Sequence, residues 1–218
     1  MSGTSVAIGV ALAVAAAAWA FMFLPDRRGI WTRTWLAAAA LIGTSVACLA
    51  AVDRLGEVVG PVDAVEVVIG LAVGAAWLVA THVGYRLVSW LLPAFGAQVR
   101  DLYRMREGGT PTSRMVGPVV AMGVAEELLF RGVLQGLGGF VLGLAAYTAV
   151  QAFERKWALA LAALLGGAVW GALFAWRGGI VAPVVAHVAW TAALTFAWPL
   201  GDDGERATRR GTAPAAPA

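Results

Sequence analysis

Apolar segments long enough to cross a lipid bilayer recur along the whole 218-residue chain. The first runs over residues 6–24, and a helix of that length covers most of a hydrocarbon core at 1.5 Å per residue. Further apolar segments cover residues 35–52, 64–85, 115–137, 138–153, 157–176 and 180–200. Only 13% of the residues are charged, against about 25% in soluble domains. The pattern predicts an all-α, multi-pass transmembrane helical bundle of about seven spans.

The basic residues support an alternating arrangement of these spans. Thirteen of the 16 lysines and arginines follow the first, third, fifth or seventh segment, and only Arg54 and Arg177 occupy the opposite loops. Short basic loops stay on the cytoplasmic side. We therefore expect the N-terminus outside and the C-terminus in the cytoplasm. A cleaved signal peptide is the alternative for residues 6–24, but no positive charge precedes them.

The remaining segments predict three regions. Residues 1–114 would hold N-terminal spans and a cytoplasmic linker, residues 115–200 a core, and residues 201–218 a disordered tail poor in large apolar side chains. Within the linker, residues 96–114 predict a surface helix or a solvated loop, and residues 87–95 an interfacial or half-span segment. Glycines spaced four apart, at 132 and 136, 139 and 143, and 167 and 171, predict close helix packing.

Three ionisable residues interrupt the fourth apolar segment: Glu126, Glu127 and Arg131. Each charge near a bilayer centre costs about 2.5 to 3.5 kcal/mol, so such residues usually face a protein interior or a wet site. Glu127 and Arg131 are four apart on one helix face and predict an ion pair. Glu126 has no obvious partner in the sequence, and a poorly solvated carboxylate suits general acid and base chemistry. A purely structural role for all three is the alternative.

Four more polar residues are candidates for the same site. His187 in the last span could donate a hydrogen bond to a developing oxyanion, with Thr191 one turn later as a second donor. Tyr147 and Gln151 are also one turn apart, in the fifth span. Gln151 could orient a water but could not take its proton. A lone histidine in a bundle is more often a packing residue.

The composition excludes several other functions. Cys48 is the only cysteine, so the chain forms no internal disulfide, and this residue is expected to be a small buried side chain. With two histidines in all, a zinc centre of three protein ligands has little support, although Glu126 and His187 would be among the ligands of any divalent metal. The pI of about 9.6 follows from scattered basic loops, so we expect no nucleic acid partner.

The stretch Glu126-Glu127-Leu-Leu-Phe-Arg131 resembles the Glu-Glu-x-x-x-Arg motif of the CPBP intramembrane proteases, also called the CAAX protease and bacteriocin-processing or Abi family. Residues 182–187, Ala-Pro-Val-Val-Ala-His, are similar to that family's last motif. The resemblance covers residues 115–200. It implies a site within the membrane, in the plasma membrane of a bacterium, and a membrane-embedded or prenylated peptide or protein as the substrate.

Two positions depart from the family pattern. The middle motif of the family supplies a second histidine where this chain has Gln151, with Tyr147 in place of a phenylalanine. The last motif ends in Asn or Asp where this chain has Thr191. The resemblance implies Glu126 as the base that activates water and His187 as an oxyanion donor.

Three functions remain open from the sequence. The first is hydrolysis of a peptide bond, which requires Glu126, Gln151 and His187 to converge. The second is a catalytically impaired relative that acts as a membrane scaffold or bacteriocin-immunity protein. The third is transport by a proton relay through the carboxylates, although no inverted repeat is evident.

Overall fold

The computed structural model describes residues 2–24, 29–107 and 111–201, and these contain helices and no strand. Ten α-helices follow in order: α1 Gly3–Met22, α2 Ile30–Ala51, α3 Leu55–Val59, α4 Ala64–Leu91, α5 Pro93–Glu107, α6 Thr112–Glu126, α7 Gly136–Gly138, α8 Phe140–Val150, α9 Trp157–Arg177 and α10 Val181–Ala192. A π-helical segment, Glu127–Gln135, joins α6 to α7, and a second one, Ala193–Ala197, extends α10. A 3₁₀ turn, Gln151–Glu154, ends α8. The all-α prediction is confirmed.

Four of the described helices, α1, α2, α4 and α9, are long and apolar enough to cross a membrane. Two shorter apolar helical runs, Phe140–Glu154 and Val181–Ala197, match the fifth and seventh predicted segments. The fourth predicted segment lies in the continuous helical run from α6 through the π-helical segment to α7. The described residues therefore form a membrane helical bundle whose apolar helices follow the predicted order.

Residues 87–95 do not form an element of their own, and their interfacial or half-span placement stays a prediction. The first part of that stretch belongs to α4, which runs on to Leu91, and the rest begins α5. Leu92 leaves the helical region at φ −132° and ψ 85° because it precedes Pro93, whose ring disfavours a helical conformation in the residue before it. Residues 96–107 are helical, as one alternative predicted, whereas residues 108–110 and the predicted disordered tail from 202 onwards lie outside the described residues.

Contacts between loops agree with the alternating arrangement. Asp101 of α5 pairs with Lys156 before α9, and the Gln98 side chain accepts a hydrogen bond from the Ala158 backbone N–H at 3.2 Å. The two basic loops that the sequence places on one side therefore meet. Likewise the Ile180 N–H donates to the Val58 carbonyl at 3.0 Å, joining the two loops that are poor in basic residues.

A buried ion pair fixes the second of these junctions. Arg177 at the end of α9 donates to Glu66 in the first turn of α4, with Nη2 to Oε1 at 2.6 Å and Nε to Oε1 at 3.1 Å. Glu66 is only 2% exposed, so its charge depends on this bidentate partner. The sequence analysis did not identify this pair, because the two residues are separated by 111 positions.

The main core lies between α1, α2 and the π-helical segment. Small side chains of α1 and α2, such as Ala11 and Ala38, bring both helices close to Leu129, Phe130 and Val133, all of which are fully buried. Cys48 lies in this core as a buried thiol, as predicted. The first two helices thus form one side of the wall around the charged residues.

Glycines allow two helix pairs to approach unusually closely. A Cβ on Gly70 or Gly74 of α4 would lie 2.7 or 2.8 Å from a backbone carbonyl oxygen of α10. A Cβ on Gly167 or Gly171 of α9 would come within 2.8 Å of side chains from the π-helical segment and α8. The predicted glycine spacing in α9 therefore does serve packing within the chain. The pair in α4 was not singled out from the sequence.

We predict that Gly74→Ala separates α4 from α10. Its new methyl would meet the Ala186 carbonyl, which belongs to the backbone and cannot move aside. The expected loss is about 1 to 3 kcal/mol of unfolding free energy, measured by SDS titration in mixed micelles. Gly84→Ala, on the same helix with nothing within 4 Å of its new Cβ, is the matched control and should be neutral or slightly stabilising. Equal effects of both changes would contradict the prediction.

Candidate active site

The charged residues lie where the helix changes its winding. α6 ends at Glu126 and the π-helical segment begins at Glu127. π-helical turns are rare and occur frequently at functional sites, because they re-aim side chains relative to a regular α-helix. Here the segment runs for 9 residues and buries Glu127 and Arg131 completely or nearly so.

The predicted pair between Glu127 and Arg131 is present. Arg131 Nη1 lies 3.4 Å from Glu127 Oε1, with side-chain exposures of 2% and 0%. The other end of the guanidinium donates from Nη2 to the Gly167 carbonyl at 3.2 Å, and its carbon lies 4.4 Å above the Tyr147 ring. Arg131 is thus held by an ion, a backbone carbonyl and an aromatic face.

Gln135 repeats this attachment one turn later. Its Nε2 donates to the Gly171 carbonyl at 2.8 Å, just as Arg131 donates to the Gly167 carbonyl. Two side chains four residues apart therefore bind two carbonyls four residues apart on α9. The sequence analysis missed Gln135, although the spacing from Glu127 through Arg131 continues to it.

His187 joins α10 to both glutamates. Its Nδ1 lies 2.8 Å from Glu127 Oε1, and its Nε2 lies 3.6 Å from Glu126 Oε2. The histidine is buried, with 5% of its side chain exposed, and stands 60 residues away in the chain from Glu127. The folded chain therefore brings together the acidic motif and the histidine motif that the sequence identified separately.

Tyr147 is the partner of Glu126 that the sequence did not reveal. The phenol of Tyr147 donates to Glu126 Oε2 at 2.9 Å. Glu126 keeps 13% of its side chain exposed, whereas Glu127 has none. The two adjacent carboxylates are thus distinguished by their surroundings: Glu127 is enclosed by charges, and Glu126 is the more accessible.

An aromatic wall encloses the histidine on its remaining sides. The Trp170 indole of α9 stacks on the imidazole, with ring centroids 5.6 Å apart and planes inclined by 17°. Trp190 and Tyr147 lie at 6.1 and 6.4 Å from the same ring. Trp170 was not identified from the sequence, where it is one of 10 tryptophans. The other histidine, His82, is away from this cluster and stacks on Trp198 at 3.8 Å.

Comparison with known families agrees with this geometry. Residues 109–193 match the family described as Type II CAAX prenyl endopeptidase Rce1-like. Over these residues the chain is similar to a CAAX protease domain. The match includes α10 and the whole of the π-helical segment that carries the acidic motif. No curated protein and no solved structure gives a significant match to the chain.

The two positions that depart from the family pattern, Gln151 and Thr191, make no direct hydrogen bond to the cluster among the described residues. Gln151 is buried in the 3₁₀ turn after α8, but no hydrogen bond among the described residues links it to Glu126 or His187. Glu126, His187 and Tyr147 are therefore in direct contact, whereas the convergence of Gln151 with them stays a prediction. The Thr191 hydroxyl is buried one turn after His187 and, within the described part of the chain, has no hydrogen-bond partner.

The charges of this cluster balance in two ways. With Arg131 always protonated, the cluster is neutral when both glutamates are ionised and His187 is doubly protonated. It is also neutral when Glu127 alone is ionised, Glu126 carries a proton and His187 is singly protonated. A low-dielectric interior favours neutral clusters, because unpaired charge there is costly. The two states differ by one proton between Glu126 Oε2 and His187 Nε2, across 3.6 Å.

The cluster does not fit a metal centre. Among the described residues no group of three or more His, Cys, Asp or Glu side chains is arranged to hold a metal ion. Glu127 Oε1 is engaged by His187 and Arg131, and Glu126 Oε2 by the Tyr147 phenol. Catalytic zinc takes three protein ligands and a water, a set that the described residues do not arrange here.

We predict that Tyr147 and Glu126 are energetically coupled. A double-mutant cycle of Tyr147→Phe and Glu126→Gln, measured by unfolding in mixed micelles, should give a coupling of about 1 to 2 kcal/mol, because the phenol donates to a carboxylate at low exposure. Strictly additive losses would contradict the hydrogen bond. Tyr85→Phe combined with Glu126→Gln is the matched control, since Tyr85 lies on α4 and is expected to show no coupling.

Proposed function

We propose that the chain is an intramembrane endopeptidase that hydrolyses a peptide bond of a membrane-embedded or prenylated substrate with a water activated by Glu126. The observation that carries this proposal is the convergence of Glu126 and His187, 3.6 Å apart and supplied by different helices. A base and a hydrogen-bond donor that face one point are the minimum that attack on a carbonyl requires.

The state with ionised Glu126 and doubly protonated His187 is the one prepared for reaction. Glu126 takes a proton from water as the water oxygen bonds to the carbonyl carbon, and the C=O electron pair moves onto the oxygen. His187 donates its Nε2–H to that oxyanion. When the carbonyl re-forms, the C–N bond breaks and the proton held by Glu126 passes to the departing amine nitrogen.

Other residues of the cluster hold these two in place. Glu127 accepts from His187 Nδ1 at 2.8 Å, which turns Nε2 towards Glu126. Tyr147 fixes one oxygen of Glu126 at 2.9 Å, and Arg131 offsets the charge of Glu127. In this proposal the unpartnered Thr191 hydroxyl is a second oxyanion donor, and Gln151 orients the water.

The surroundings favour a substrate that reaches the site from the membrane. Apolar helices of spanning length surround the cluster, so lipid and a membrane-embedded or prenylated peptide are the partners that this location supports. The basic loops support an N-terminus outside and a C-terminus in the cytoplasm. The location that we propose is the plasma membrane of a bacterium.

One observation favours a second function. Gln151 stands where the family has a histidine and makes no hydrogen bond to the cluster among the described residues. An amide cannot exchange a proton with water or Glu126. A catalytically impaired relative that binds peptides as a membrane scaffold or immunity protein is therefore the alternative.

We predict that Glu126→Gln lowers cleavage about 10²- to 10⁴-fold, the usual contribution of a general base. The measurement compares purified variants in micelles on a panel of membrane peptides and prenylated CAAX peptides. Glu57→Gln, at a carboxylate that is 64% exposed and outside the cluster, is the matched control and should cleave normally. Cleavage at equal rates by the wild type and Glu126→Gln would contradict the proposed role of Glu126.

We expect Gln151→His to raise turnover, because an imidazole can share the proton that Glu126 takes from water whereas an amide cannot. The same peptide panel measures this, and Gln98→His, at a glutamine of α5 outside the cluster, is the control for adding a histidine to the chain. A rate unchanged by Gln151→His would favour the binding function or a site that works without this position.

A further inference from the structure

The closest aromatic contact of His187 is face to face. Trp170 presents its indole plane to the imidazole at 17° and 5.6 Å, whereas Tyr147 is nearly perpendicular to the ring, at 78°. The indole is fully buried and also makes edge contacts with Trp77 at 6.5 Å and Trp190 at 6.0 Å. These contacts restrict the orientation of Trp170 against the histidine.

This contact bears on the charge of the histidine. A cation within about 6 Å of an aromatic face is attracted by the negative face of the ring, most strongly by an indole and when both are shielded from water. The proposed reaction needs His187 doubly protonated, since Nδ1–H is committed to Glu127 and only a second proton makes Nε2 a donor. A buried indole face favours the required form.

We propose that Trp170 is a positioning residue of this site, whose indole face fixes the plane of the His187 imidazole and stabilises its doubly protonated form. The role of Trp170 in catalysis rests on the proposed function, but its contact with His187 can be tested without measuring cleavage.

The charged and titratable groups around His187 are few. The helical run containing α6 and the π-helical segment supplies Glu126, Glu127 and Arg131, and α8 supplies the Tyr147 phenol. The described contacts of α9 and α4 add neutral groups, chiefly Trp170 and the Thr81 hydroxyl that accepts from Trp190. Among the described contacts, the Trp170 indole is therefore the group of α9 that can influence the protonation of His187.

The test is NMR of the protein in micelles with isotopically labelled histidine. With two histidines in the chain, His82→Gln assigns both sets of ring signals. At a fixed pH, Trp170→Leu should lower the ratio of doubly to singly protonated His187 about three- to thirty-fold, while Trp170→Phe, which keeps an aromatic face, should retain most of it. His82 serves as an internal standard and should not change.

A second variant tests the proposal even if Trp170→Leu does not fold. Tetrafluorotryptophan introduced at position 170 keeps the size of the indole but weakens its negative face, and should lower the ratio as leucine does. Trp176→Leu removes an indole of the same helix that is 67% exposed and should leave the ratio unchanged. The proposal is overturned if the fluorinated protein matches the wild type, or if Trp176→Leu acts as strongly as Trp170→Leu.

The two proposals fail in different ways. A wild-type protein that cleaves no peptide overturns the endopeptidase while the NMR ratios still decide the role of Trp170. Conversely, normal cleavage with an unchanged ratio in the fluorinated protein overturns the role of Trp170 alone.

Discussion

The bundle is organised around the buried carboxylate of Glu127. One oxygen of this group contacts both His187 Nδ1 at 2.8 Å and Arg131 Nη1 at 3.4 Å, and the side chain has no exposure. A charge in that position is tolerable only while its partners remain, since removing one partner of a buried pair costs about 3 to 5 kcal/mol. Glu127 thus links the π-helical segment to α10, and through Arg131 to α9.

The rest of the fold makes this linkage geometrically feasible. Small residues let helices pack closely where the charged groups meet: Gly167 and Gly171 on α9 leave room for Arg131 and Gln135, and Gly70 and Gly74 bring α4 against α10. The donors on the π-helical segment then reach the Gly167 and Gly171 carbonyls of α9. Close helix packing and these two hydrogen bonds therefore depend on the same glycines.

The site also departs from the family pattern in the residue that contacts Glu126. Where the family pattern has a second histidine, this chain has Gln151 without a hydrogen bond to the cluster, and the contact to Glu126 comes instead from Tyr147 one turn earlier. The phenol donates a hydrogen bond to the Glu126 carboxylate and so restricts its position. In the proposed reaction, proton exchange is then left to Glu126 and His187 themselves.

The sequence by itself determined the class of fold and the members of the acidic motif, because apolar length and an i, i+4 spacing are local properties. It also identified His187, through a motif, without its partner. Only the tertiary structure decided that Glu127 rather than Glu126 holds this histidine, that Tyr147 binds Glu126, and that Trp170 and Gln135 belong to the site. These contacts join residues from 17 to 60 positions apart, and their register depends on how far the π-helical turns rotate the side chains around the helix. The residue types along a single helix do not reveal that rotation.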